Sequence, residues 1–312
     1  MLVLFRVDMI HPECGSMCDR EVSGGTMSEI AMPADANPER PLKETIIEPT
    51  QGWGVGFVQV WQYRELLRVL LWRALAVRYR QMALGVLWMV LEPLAQIGIM
   101  FVVFGLVLRL PSEGFPYPLF VFSGLVPFLL FRKAVDSSAD CLRENMGLIS
   151  KVYFPRLLLP ISAVVRDAVD VAVNLLVLIL LSVAYGYIPG PAVFLLPFVM
   201  LIPALTAMGI GLWTASLVVR LRDLRHIIGI GVQIVMYGSP IIYSPEQVPA
   251  VLRPYYELNP LYWSIEFFRW ALLGRDLHIT PQFYVSLVLV VSLFISGLFI
   301  FNRFERLSVD VQ

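Results

Sequence analysis

The sequence has little charge. Aspartate, glutamate, lysine and arginine supply 15% of its residues, against roughly 25% in ordinary soluble domains. That shortage excludes a water-facing globular body. Hydrophobic residues at 58% and a mean hydropathy of +0.72 place the chain among integral membrane proteins. Thiols and imidazoles are as scarce. The three cysteines are Cys14, Cys18 and Cys141, and Cys14-x3-Cys18 has only His11 nearby. With no second pair to complete a zinc site, these read as unpaired thiols in a reduced compartment. His11, His226 and His278 lie far apart, and nothing points to a Ser/His/Asp site. There is no G-x-x-x-x-G-K-[ST], no H-E-x-x-H and no G-x-S-x-G. The chain therefore binds no nucleotide through a P-loop. No catalytic residue, metal or cofactor of its own is expected, and no nucleic-acid partner.

Long apolar runs are what the sequence does have. A span needs about 20 mostly apolar residues. Six segments qualify: 84–108, 117–135, 157–185, 192–219, 227–243 and 283–301. Basic residues orient them. Arg64, Arg68, Arg73, Arg78 and Arg80 precede the first span. Arg132, Lys133, Arg143, Lys151 and Arg156 lie between the second and third, and Arg220, Arg222 and Arg225 between the fourth and fifth. Arg303 and Arg306 follow the sixth. The alternate loops carry only Arg109, Arg253, Arg269 and Arg275. Basic residues collect on the cytoplasmic side, so both termini are expected there.

Residues 1–52 are polar, proline-bearing and aperiodic, and read as a disordered cytoplasmic tail. Met27 is a plausible start, which would leave residues 1–26 outside the translated protein. Residues 53–83 are read as an interfacial segment and 84–312 as a six-span domain. In "WQYRELLRVLLWRALAVRYRQ", residues 61–81, Leu66, Leu67, Leu70, Ala74 and Val77 share one helical arc edged by arginines. Within the spans, Ala207, Gly211 and Ala215 form a small-residue ridge suited to close helix packing. Arg166, Asp167 and Asp170 read as a cluster at the headgroup level.

Residues 244–274 do not behave like a polar loop. Pro249, Pro254 and Pro260 punctuate stretches carrying Tyr255, Tyr256, Tyr262, Trp263, Phe267, Phe268 and Trp270. These stretches are too short to span. They are expected to form two half-helices, roughly 245–251 and 260–273, re-entering the membrane from outside. Pro240, Pro245 and Pro249 would end the fifth span, and Asn259-Pro260 would make the second turn. Glu266 and Arg269, three apart on a helix, would pair.

Three blocks, in order, resemble the permease subunits of type-2 ABC exporters that move O-antigen, capsule and teichoic acid. They are "RALAVRYRQMALGVLWMVLEPL" at 73–94, "ENMGLISKVYFPRLLLP" at 144–160 and "YGSPIIYSPEQVPAVLRPYYELNPLYWSIEFFRWALLG" at 237–274. The resemblance covers about residues 55–312. It implies a homodimer in the bacterial inner membrane with two copies of a separate ATPase, on which ATP and Mg would bind. It implies a polyprenyl-pyrophosphate-linked polysaccharide as cargo. The loop bearing Glu144, Asn145, Leu148, Lys151, Tyr153 and Phe154 would dock on the ATPase. Arg64, Arg68 and Arg78, with Trp88, would meet substrate and membrane lipid at the entrance. Tyr237, Pro240, Tyr243, Pro245, Asn259, Pro260, Glu266 and Arg269 would line or close the exit. The rival readings are an exporter of drugs or small lipids, and a membrane polysaccharide polymerase or ligase. The latter would need large polar loops with catalytic bases, and the longest external loop here is apolar.

Overall fold

Backbone polar groups inside a bilayer must be satisfied within the segment, which leaves a chain this apolar with helices. The computed structural model describes residues 61–80, 87–151, 154–218 and 223–309. Among them the regular structure is all helical, with no strand. Residues 1–60 lie outside the described residues, and with them the expected tail, Met27 and the Cys14/Cys18 pair. So do Tyr153, Arg220, Arg222 and the Arg78 side chain. The described residues belong to one unit, Gln51–Gln312.

Among the described residues, five stretches are long and apolar enough to cross a membrane: Val90–Val107, Tyr117–Glu144, Leu158–Ala184, Pro191–Val218 and Pro281–Arg303. They match the expected first, second, third, fourth and sixth segments. The helices are α1 (Arg64–Arg80), α2 (Leu87–Met100, continuing as a π-helix Phe101–Val107), α3 (Tyr117–Glu144), α4 (Leu158–Ala184), α5 (Leu201–Val218), α6 (Leu224–Tyr237), α7 (Pro260–Leu273) and α8 (Pro281–Val309). The expected fifth segment is the exception. α6 has 14 residues, about 21 Å at 1.5 Å per residue, against a core of about 30 Å. It ends at Gly238, two residues before Pro240, because a proline removes a donor and bars its predecessor from the helical region.

α3 is the centre of the bundle. Its span is 83% buried, whereas the spans of α2 and α8 are 17% buried. Phe120, Phe122, Leu125, Phe128, Leu130 and Phe131 of α3 are all closed off. α4, α5 and α7 pack around it. The small-residue ridge sets how closely α5 can come. Ala207 and Ala215 are fully buried. A Cβ at Gly211 would lie 2.3 Å from the Ser138 Cβ on α3, so only glycine admits that approach. On another face, Trp213 of α5 donates to Ser296 Oγ of α8 at 3.1 Å.

α1 lies against α4. Leu70 is buried, and Leu66 and Leu67 pack on the core. This part of the predicted arc thus faces protein, while Trp61, Val69 and Trp72 are exposed.

Candidate functional site

At the N-terminal end of α3 the chain builds a buried polar network from four separate segments. α7 begins with a strong start signal. The Asn259 side chain caps it by accepting from Leu261 N at 3.0 Å, and Pro260 opens its first turn. The same Asn259 donates Nδ2 to Ser239 Oγ at 2.9 Å and to the Gly238 carbonyl at 3.3 Å. It thereby ties the end of α6 to the start of α7. Gly274 stops α7 in the left-handed region, φ 70°.

Arg269 of α7 has no solvent exposure. Its guanidinium stacks 3.7 Å from the Phe120 ring centre, donates to the Pro240 carbonyl, and reaches Glu266 Oε1 at 3.4 Å. The predicted Glu266–Arg269 pair is present, but it is one link of a longer chain. Arg275 donates to both Glu266 oxygens, at 3.1 and 2.9 Å, and its Nε lies 2.9 Å from Glu113 Oε2. Glu113 also accepts from Ser244. A buried charge is tolerable only when paired and hydrogen-bonded, and each member here has such partners.

An aromatic file flanks this network. Tyr256 donates to the Tyr243 hydroxyl at 3.0 Å, and Tyr243 donates to the Tyr237 carbonyl at 2.9 Å. Tyr256, Tyr262 and Trp263 meet edge to face. Burial, reinforced by the bond to Tyr243, pushes the Tyr256 phenol well above its ordinary value, so it remains a donor. The expected half-helix at 245–251 takes another form. It is a 3-10 turn, Pro245–Gln247, followed by one helical turn, Arg253–Tyr256. Prolines 249 and 254 leave no room for a longer helix. Of the residues expected at the exit, Pro240, Tyr243, Asn259, Glu266 and Arg269 join in this assembly. Pro245 is buried beside it and Tyr237 is 54% exposed. Glu113, Phe120, Tyr256 and Arg275 were not assigned to the exit by sequence. An acid beside a glycine turn at Glu113-Gly114, and an arginine just past a C-terminal glycine at Gly274-Arg275, were the available hints.

At the C-terminal end of α3 the candidate docking loop follows. Asn145 ends the helix and donates Nδ2 to the Cys141 carbonyl at 2.8 Å. One turn, Met146–Ile149, leaves Glu144, Met146 and Lys151 outward and Leu148 half-buried. Phe154 is buried at 4% exposure and anchors the loop rather than projecting from it. Beside the loop lies a cleft of about 590 Å³ with both signs of charge, including Arg73, Lys133, Asp136 and Glu144. Two ion pairs line it: Arg225 with Asp140 at 3.0 Å, joining α6 to α3, and Arg166 with its neighbour Asp167 on α4 at 3.1 Å. Ser137 also donates to Asp167. Asp167 and Asp170 are both buried in protein.

The candidate entrance residues are open. Arg68 lies 2.9 Å from Glu65, and both are over 70% exposed. Arg64 sits 5.8 Å over the Trp61 ring, and Trp88 is 52% exposed.

A profile of ABC-2 type transporters matches residues 65–273. The chain belongs to this family. The match takes in both ends of α3, the docking loop and the whole α6–α7 connection. Curated relatives extend the likeness. The O-antigen export system permease protein RfbA of Myxococcus xanthus is 31% identical over 215 residues, covering 66% of this chain and 82% of that protein. A protein of the same name from Klebsiella pneumoniae is 27% identical, covering 79% and 95%. The polysialic acid transport protein KpsM of Escherichia coli is 25% identical, covering 75% and 91%. Membership of this family makes the chain a transport protein, integral to a membrane.

Proposed function

We propose that this chain is the channel-forming permease of an ATP-driven exporter that moves a lipid-linked polysaccharide across the bacterial inner membrane. The observation that carries the reading is coverage. Relatives named for O-antigen export and polysialic acid transport align along nearly their whole length with this chain. In this reading two copies associate with two copies of an ATPase, which binds ATP and Mg. The exposed Glu144, Met146 and Lys151 face that subunit, and the Asp140–Arg225 pair carries its motion into α6. α6 completes a sixth crossing together with the non-helical residues 238–243, and α7 re-enters the membrane from outside. Both termini are cytoplasmic, residues 1–52 form a tail, and α1 marks the entrance. Arg64, Arg68 and Arg78 meet the pyrophosphate headgroup there, since guanidinium groups suit multidentate phosphate binding. α6 supports a second copy: Val232 is its one buried residue, while Ile227, Ile230, Ile234 and Tyr237 leave one face open.

The test is reconstitution with the ATPase in vesicles carrying polyprenyl-pyrophosphate glycans. ATP-dependent appearance of the glycan across the bilayer is expected. Transport of hydrophobic dyes with no glycan movement would favour the drug or small-lipid exporter instead.

A further inference from the structure

The chain between α6 and α8 divides into a held part and an open part. α7 is held on two sides. Towards α3, Arg269 stacks on Phe120 and binds the Pro240 carbonyl. Towards the α2–α3 turn, Arg275 bridges Glu266 and Glu113. The side chains of Glu113, Glu266 and Arg275 are 14%, 9% and 19% exposed. Two left-handed corners bring this bridge together, Glu113 at φ 56° and Gly274 at φ 70°. A non-glycine residue in that region is strained and persists only where its surroundings enforce it. The far end of the segment is also tied down: Thr280 donates to Glu257 Oε2, and Trp263 Nε1 to the Glu257 carbonyl, both at 2.7 Å. Residues 249–255 contrast with all of this. Val251 is 81% exposed, Leu252 55% and Tyr255 73%.

We infer that Glu113 and Arg275 are positioning residues that fix α7 to the α3 end of the bundle, so that the exit opens by movement of the 249–255 arm while α7 stays in place. The inference rests on the export reading, and it replaces a pair of moving half-helices with one stator and one arm. A largely enclosed cation shared by two carboxylates resists separation, because each charge would lose its partner in a poorly hydrated site. An exposed arm with few buried contacts is the element that opens most readily.

The experiment uses the full chain, freed of its own cysteines and assembled with its ATPase in its native membrane. Single cysteines are placed by Ala271→Cys, on the buried side of α7, and by Val251→Cys, on the arm. Labelling by a membrane-impermeant maleimide is followed at rest and during ATP-driven cycling. The Ala271→Cys thiol should stay unlabelled in both states, and labelling at Val251→Cys should change at least threefold. Adding Arg275→Ala should expose the Ala271→Cys thiol at rest, and Arg275→Lys should restore most of its protection. A cleavable thiol cross-linker between Ser112→Cys and Asp276→Cys, which flank the bridge, should form and leave export within twofold of the uncrosslinked protein. The inference is overturned if the Ala271→Cys thiol reacts only during cycling, or if Arg275→Ala leaves it protected. It is equally overturned if the cross-link fails to form, or blocks export until it is cleaved. Absence of export in the uncrosslinked parent counts against the export reading alone, since the resting contrast between Arg275 variants needs no transport.

Discussion

Arg269 bears a full charge with no contact with solvent, and three groups make that tolerable: the Phe120 face, the Pro240 carbonyl and the Glu266 carboxylate. Glu266 without Arg269 keeps its bonds from Arg275, but Arg269 without Glu266 is a fully buried charge with no carboxylate, at about 3–5 kcal/mol. Glu266→Leu should therefore lower the thermal stability of the detergent-purified protein by that amount. The double variant Arg269→Met with Glu266→Leu should recover much of it, because an apolar pair of similar volume needs no compensation. A loss under 1 kcal/mol for the single variant would mean that the network is an incidental surface arrangement. Gly211 makes the second prediction at this scale. With a Cβ placed 2.3 Å from the Ser138 Cβ, Gly211→Ala should cost about 1–3 kcal/mol by overpacking. Ser138→Gly should relieve it, giving a coupling energy above about 0.5 kcal/mol in a double-mutant cycle. Additive effects would show that α3 and α5 do not meet there.

Among the elements, the docking loop separates stability from function. Phe154 is buried, and truncating it should cost about 3–5 kcal/mol. Export by Phe154→Ala would then fall together with protein level in the membrane. Met146 and Lys151 are exposed on the same loop, and Met146→Ala with Lys151→Ala should leave stability within about 0.5 kcal/mol. ATP-driven export should nonetheless drop at least tenfold if this face meets the ATPase, as measured by transport at matched protein level. Full export in that variant would place the docking surface elsewhere. These elements differ in how far the sequence revealed them. The long spans were legible because hydropathy is a local property, and the stop at the end of α6 because Pro240 acts on its own neighbours. Hydropathy could not show that α3 is enclosed while the more apolar α2 is open, since it does not distinguish membrane-facing from protein-facing helices. The Glu266–Arg269 pair was legible from its spacing of three. Glu113 and Arg275 were not, because no periodicity joins residues so far apart in the chain. For the same reason Phe154 read as a docking residue, when its aromatic ring is packed inside.

At the scale of the whole molecule, the two ends of α3 are the places where the protein invests polarity. One end carries the Arg269–Glu266–Arg275–Glu113 network, and the other the charged cleft crossed by Asp140–Arg225. α3 runs between them, buried along most of its length. In the proposed exporter this arrangement suits a rigid strut that would carry motion from the ATPase to the exit, and breaking its Asp140–Arg225 link should uncouple the two. Asp140→Asn should reduce export several-fold while ATP hydrolysis by the complex continues, measured side by side in vesicles; a parallel loss of both activities would point to failed assembly instead. The central claim is that the chain moves a lipid-linked glycan outward. The most direct measurement takes inside-out membrane vesicles holding this chain with its ATPase and a radiolabelled polyprenyl-pyrophosphate polysaccharide. Glycan protected inside the vesicle is then counted with and without ATP. The account predicts ATP-dependent protection that disappears when the chain is omitted. Equal protection with and without the chain, while the ATPase remains active, would contradict it.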